Sequence, residues 1–418
     1  MSATFLSSLL RLCLGLACLA VSFRAASAEP APLPATTPWK LDELSQPPEF
    51  EWINQEGPVR SLFYTGEKYR GKPTRVFAWY ASPLTLNADK QGQKFPAVVL
   101  IHGGGGTAFR EWAELWAKRG YAAIAMDLAG HRPVEGKNAH DRNNRTPLPD
   151  GGPNQGDDEK FGSILKEPGE QWPYHAVAAV IRAHSLIRSF PEVDADRTGV
   201  TGISWGGYLT CIVAGIDHRF RAAVPVYGCG HLEENSAWSD RMQKRMTAEE
   251  RTRWTELWDP KQYLPSVRMP IFFVNGTNDF AYPLDSYQNS IDDVRGQKLI
   301  RITVNMPHGH TVGWQPQEIG LFIDQTLQQK QLLPEPGEPK LEGGQVSLTC
   351  HGTVLPKSAS LHYTTGKEPI NKRTWQTVPA TVNGSQVTVA APPGDATIWF
   401  LTVQDERGSI VSTRVMLK

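Results

Sequence analysis

A serine, a carboxylate and a histidine occur in that chain order, preceded by a run of four glycines. Together these residue types can carry out nucleophilic acyl transfer. Ser204 lies in Gly202-Ile203-Ser204-Trp205-Gly206, followed by Gly207 and Tyr208. Glycines on both sides of a serine permit a sharp strand-to-helix turn that pushes the hydroxyl outward. The helix beginning behind it leaves the Trp205 N–H free to face a developing oxyanion. A serine hydroxyl is a poor nucleophile at neutral pH, so an imidazole must take its proton and a carboxylate must hold the imidazole. Asp279, at the end of Asn275-Gly276-Thr277-Asn278-Asp279, is the expected acid, with Asp285, Glu233 and Glu234 as outside alternatives. His308 and His310 flank Gly309, and either is a potential base. In His102-Gly103-Gly104-Gly105-Gly106 the absence of side chains lets backbone N–H groups face a ligand, and His102 itself is expected to be a structural hydrogen bonder.

These groups need a scaffold that brings distant segments to one edge. Apolar runs at 97–101, 121–126, 222–226, 271–275 and 299–304 read as buried strands. Helical patterns at 109–118, 172–188, 208–216 and 316–328 alternate with them, and two further strands, 59–64 and 76–80, precede them. Such alternation predicts an α/β fold with a mostly parallel sheet. The glycine run, Ser204, Asp279 and the histidines each follow a predicted strand, the side on which α/β sheets bind ligands. Residues 127–168 form a long polar segment rich in Gly, Pro, Asn and Asp, expected to cover the site as a partial lid. Asp157, Asp158 and Glu159 within it read as a solvated acidic turn rather than a metal site. His175 and His184 are expected to be ordinary, partly buried residues of the 172–188 helix.

The ends of the chain differ in texture. Residues 1–28 carry Arg11, an apolar stretch and Ala26-Ser27-Ala28, the pattern of a cleavable export signal. Residues 29–57 are a Pro-rich extended lead-in, and 58–330 hold the α/β pattern. A Pro/Glu/Gly-rich linker is expected at 331–343. Residues 344–418 show short alternating strands with regular turn signals, which predicts a separable immunoglobulin- or fibronectin-like β-sandwich. Trp375 and Trp399 read as its core aromatics, a sugar-stacking platform being the alternative. Beyond the signal, Cys211, Cys229 and Cys350 remain. An odd count implies no disulfide framework, and buried free thiols are expected, a bridge between Cys211, on the helix after the elbow, and Cys229, just beyond the next strand, being the alternative.

Lys and Arg total 43 and Asp and Glu total 43, so the formal net charge is zero. That balance, without any Lys/Arg run, gives no reason to expect nucleic acid or an anionic membrane as a partner. After signal removal no membrane association is expected. Nothing in the pattern specifies an oligomeric state.

The elbow around Ser204, the turn ending at Asp279 and Pro307-His308-Gly309-His310 together resemble the prolyl oligopeptidase and dienelactone hydrolase group of α/β-hydrolases. Acetyl xylan esterase-like hydrolases belong to the same neighbourhood. The resemblance covers about residues 63–327. It implies an α/β-hydrolase domain with Ser204 as nucleophile and Asp279 as acid. His310, placed directly after a glycine as in the group, is then the base, with His308 the alternative. It further implies an oxyanion hole from the N–H of Trp205 and that of Gly104 or Gly105. The implied activity is cofactor-free and metal-free hydrolysis of a carboxylic ester, on a small molecule or a polysaccharide. A peptidase is the alternative enzyme, and a non-catalytic binding protein on the same scaffold the alternative of another class.

Overall fold

The computed structural model describes residues 29–418, so the expected export signal lies outside the described residues. Three antiparallel strands open the main sheet: β1 (Phe50–Asn54), β2 (Arg60–Thr65) and β3 (Arg75–Ala81). β4 (Phe95–Ile101) and β5 (Ala122–Met126) are wholly buried. After them the small hairpin β6 (His131–Pro133) and β7 (Arg145–Pro147) stands apart from the sheet. β8 (Val193–Ile203), β9 (Ala222–Val226), β10 (Ile271–Gly276) and β11 (Lys298–Thr303) complete it. The pairing order is β1-β2-β3-β5-β4-β8-β9-β10-β11, antiparallel as far as β5 and parallel from β5 to β11. β4 is an unbroken apolar run because both of its faces are covered, the usual state of an inner parallel strand. β1 falls within the stretch expected to be an extended lead-in. It is an edge strand whose mostly exposed residues give no buried alternation to read.

Helix Trp172–Ser189 carries the expected apolar residues Val177, Val180, Ile181, Leu186 and Ile187, all buried. His184 on that helix is fully buried, its Nδ1 2.8 Å from Asp217 and its Nε2 2.8 Å from the Thr198 hydroxyl. Burial pulls its pKa down to about 4, against the attraction of Asp217. Both ring nitrogens are used, so this histidine ties helix to sheet.

The C-terminal strands are β12 (Glu335–Pro336), β13 (Lys340–Glu342), β14 (Gln345–His351), β15 (Ser358–Thr364), β16 (Gln376–Asn383), β17 (Gln386–Ala390), β18 (Ile398–Gln404), β19 (Ile410–Ser412) and β20 (Met416–Leu417). β12, β13 and β17 pair with β14, whereas β16, β19 and β20 reach β15 or β18. β16 crosses between the two layers, pairing with β15 over Gln376–Ala380 and with β17 over Thr381–Asn383. This is a β-sandwich. Trp375 and Trp399 are buried in its core, Trp375 lying edge-on to Phe400 at 5.5 Å. The stretch expected to be a free linker differs from that reading, because β12 and β13 within it already pair with β14.

The sandwich is not a free appendage. β19 pairs antiparallel with β11 at Ser412 and Ile300, which continues the main sheet into the C-terminal one. Cys211, Cys229 and Cys350 are buried free thiols. Among the described residues, no helix is long and apolar enough to cross a membrane.

Candidate active site

β8 ends at Ile203 and helix Trp205–Ile216 follows with Ser204 alone between them. Ser204 absorbs the turn with φ +60° and ψ −118°, a conformation strained for a residue with a Cβ. Its N–H donates to Val226 O at 2.8 Å, and its carbonyl accepts from Tyr208 N at 2.9 Å. The turn is this tight only because the helix lies directly on β4. A Cβ on Gly206 would strike the Ile101 carbonyl, and one on Gly207 would lie 2.5 Å from Val226 O. Gly206→Ala is therefore expected to lower stability by about 1–3 kcal/mol or more, since backbone must shift to admit the methyl. Thermal denaturation checks this, and an unchanged Tm would refute the close-approach argument.

Asp279 is buried on the turn after β10, where its Oδ1 accepts from the N–H of Ala281 and of Tyr282, each at 2.8 Å. Its Oδ2 lies 2.6 Å from His308 Nδ1. The other acids considered are engaged elsewhere: Asp285 by Asn235, Glu233 by Arg251 and Glu234 by His231. The His308 ring stacks on Tyr227 with centroids 4.4 Å apart, and the Tyr227 hydroxyl donates to Pro307 O at 2.8 Å. With Nδ1–H on the carboxylate, His308 keeps Nε2 as an acceptor.

The expectation that Asp279 would hold His310 differs from the observed contacts. His310 begins a short helix, His310–Trp314, and its Nε2 accepts from the Gly103 N–H at 2.9 Å. Burial, with the nearby His102, His140 and His308, lowers its pKa to about 3. Its Nε2 lone pair is committed to the glycine loop. The glycine-then-histidine pattern fits both the loop anchor and the base, and spacing alone could not separate them.

In the glycine loop, Gly106 N donates to Gly103 O at 3.0 Å and Gly105 N to Gln155 Oε1 at 3.3 Å. Among the described residues the Gly104 and Trp205 N–H groups have no partner, and both residues line the same cleft as Ser204. His102 bridges the loop to the next strand, with Nδ1 2.8 Å from Gly103 O and Nε2 accepting from Leu128 N.

Ser204 opens into a cleft of about 800 Å³ shared with His308, Gly104, Trp205, Trp238 and Phe280. The segment expected to be a lid supplies a whole wall of it. Arg145 donates to the Gly105 carbonyl and Gln155 accepts from the Gly105 N–H, so the lid holds both sides of that glycine. Lys160 is buried with its Nζ 4.7 Å from the Trp205 ring centre, and burial lowers its pKa to about 8. Asp157 is ion-paired with Arg241, whereas Asp158 is exposed. Sequence reasoning missed Arg142, Arg145, Gln155 and Lys160, which sit in a stretch without a periodic apolar pattern. The one signal was two arginines three residues apart in Asp141-Arg142-Asn143-Asn144-Arg145.

Known proteins bear on this geometry. Residues 84–310, more than half of the chain, match the model of the dienelactone hydrolase family. A 225-residue stretch is 25% identical to the uncharacterized peptidase YuxL of Bacillus subtilis (strain 168), covering 50% of this chain and 29% of that one. A 208-residue stretch is 23% identical to the acetyl esterase Axe7A of Xylanibacter ruminicola, covering 47% and 46%. The chain thus spans less than half the length of either relative. Among solved structures, the acetyl xylan esterase from Paenibacillus sp. R4 is 21% identical with a TM-score of 0.55, covering 69% of this chain and 92% of that one. Acetyl xylan esterase 1 from Thermoanaerobacterium sp. JW/SL YS485 is 18% identical with a TM-score of 0.51, covering 69% and 93%. At these identities the likeness is one of fold. The chain belongs to the dienelactone hydrolase family, with the α/β-hydrolase fold and a β-sandwich joined to its C-terminal side.

Proposed function

We propose that the protein is an exported serine esterase that works through an acyl-enzyme. The observation that carries this reading is the 2.6 Å Asp279–His308 contact in a cleft that also holds the strained Ser204. Ser204 Oγ attacks the ester carbonyl while His308 Nε2 takes its proton, and Asp279 stabilises the resulting imidazolium. The oxyanion is held by the N–H groups of Gly104 and Trp205. His308 then protonates the departing alcohol, and water repeats the sequence to release the acid. Gly104 replaces the Gly104-or-Gly105 alternative because Gly105 N already donates to Gln155. His308 takes the role first given to His310, since a committed lone pair cannot receive a proton.

The acyl group is proposed to be small, on a carbohydrate alcohol. Support comes from the relative named an acetyl esterase. The pattern in residues 1–28 supports export. A peptidase is the second reading, favoured by the relative named a peptidase.

A fluorophosphonate probe is expected to label the wild type and to leave Ser204→Ala unlabelled. Labelling that persists in the variant sinks the nucleophile assignment. A panel of acetylated sugars, feruloyl and glucuronoyl esters and peptides then separates the two readings. Cleavage of peptides but of no ester would favour the peptidase.

A further inference from the structure

The chain is electrically balanced, but its cleft is not. Arg142, Arg145 and Lys160 line it, and Asp157 is the sole carboxylate lining it among the described residues. Asp157 is already paired with Arg241, and Lys160 Nζ stays 3.8 Å from it. No carboxylate is paired with Arg142 or Arg145 among the described residues; Asp127, which faces Arg145, instead binds Thr107 and the N–H groups of Ala129 and His131. Two further atoms of this wall, Arg145 Nε and Gln155 Nε2, are buried with no hydrogen-bond partner among the described residues. Buried donors of this kind cost stability unless an acceptor meets them.

Their placement relates them to the reaction centre. Lys160 lies over the indole of Trp205, the residue after the nucleophile. The Arg142 guanidinium covers Gly105, where a Cβ would collide with it. An arginine fork and an ammonium match the planar or tetrahedral oxygens of an acidic group, and a neutral sugar offers them no charge to meet.

Resting on the esterase reading above, we infer that this wall is a subsite for an anionic substituent of the substrate, a carboxylate or a sulfate near the ester. The substrate class is therefore an acylated acidic sugar rather than a neutral one. Arg142 and Lys160 supply the charge, with the Arg145 guanidinium beside them.

The test uses the full mature chain carrying Ser204→Ala, which binds esters without turning them over. Acetylated glucuronic acid, acetylated glucose 6-sulfate and acetylated glucose are titrated into it by calorimetry. At least one acidic sugar is expected to bind about tenfold tighter than the neutral one, the better of the two identifying carboxylate or sulfate. Adding Arg142→Gln, at an exposed side chain that folding tolerates, should bring the acidic-to-neutral ratio close to one. Equal affinity for acidic and neutral sugars, binding of none of them, or a ratio untouched by Arg142→Gln would overturn the inference. Hydrolysis of the same esters by the wild type is read separately. Cleavage without charge preference leaves the esterase and removes the subsite, whereas acidic preference in binding without cleavage keeps the subsite and removes the esterase.

Discussion

Alanine at His308 is expected to lower kcat/KM for a small neutral ester by about 10⁴-fold or more, close to the loss caused by Ser204→Ala. The two residues act as one unit, so the double variant should be scarcely worse than either single one. His310→Ala is expected to behave differently. It removes the acceptor that holds the Gly103 N–H, so the glycine loop loses an anchor while the proton path stays intact. A misaligned oxyanion donor costs at most about 10²- to 10³-fold, so His310→Ala should remain at least tenfold more active than His308→Ala. Single-turnover acylation of a chromogenic ester measures this directly. Circular dichroism and Tm on the same samples separate a lost base from a damaged fold. If His310→Ala were the more severe of the two with its fold intact, the roles would be exchanged.

That pair of histidines also shows where sequence reading stops. The glycine run, the elbow and the acid turn each follow a buried strand, and a buried parallel strand announces itself as an apolar run such as Ala97 to Ile101. The order of these motifs was legible for the same reason. The choice between His308 and His310 was not, because it depends on which ring nitrogen meets Asp279 and which meets Gly103. Those contacts are set by Tyr227 stacking on His308 and Phe109 lying 4.8 Å from His310, both distant in sequence. The cationic wall was hidden differently. Arg142, Arg145 and Lys160 lie in a polar stretch without apolar periodicity, where charge normally means solvent, and only the closure of 127–168 over the glycine loop turns them inward. The sandwich was visible as alternating strands, while its attachment around Ser412 left no local pattern.

Removing residues 332–418 is expected to yield insoluble or aggregated protein rather than a smaller active hydrolase. β11 is the last parallel strand of the main sheet, and its Leu299, Ile300 and Ile302 are buried. Its outer edge is covered by β19, and the Ser412 hydroxyl accepts from the Ile302 N–H at 2.8 Å. Without that cover an apolar edge strand would face water with unpaired backbone groups, a template for aggregation. Two buried side chains would also lose their partners. Gln288 Oε1 accepts from Val415 N and Glu318 Oε1 from Ile410 N, each at 2.7 Å. Both acceptors would then have only water in place of these backbone donors. The Arg414–Asp292 ion pair across the same junction is exposed and adds little. Because a truncation can fail for trivial reasons, Val411→Asp in the full chain supplies the second measurement. Val411 is fully buried beside this junction, so a charge there should lower Tm and ester hydrolysis together. A soluble monomeric truncation with near-native Tm and activity would show that the hydrolase domain stands alone and that β19 merely rests against it.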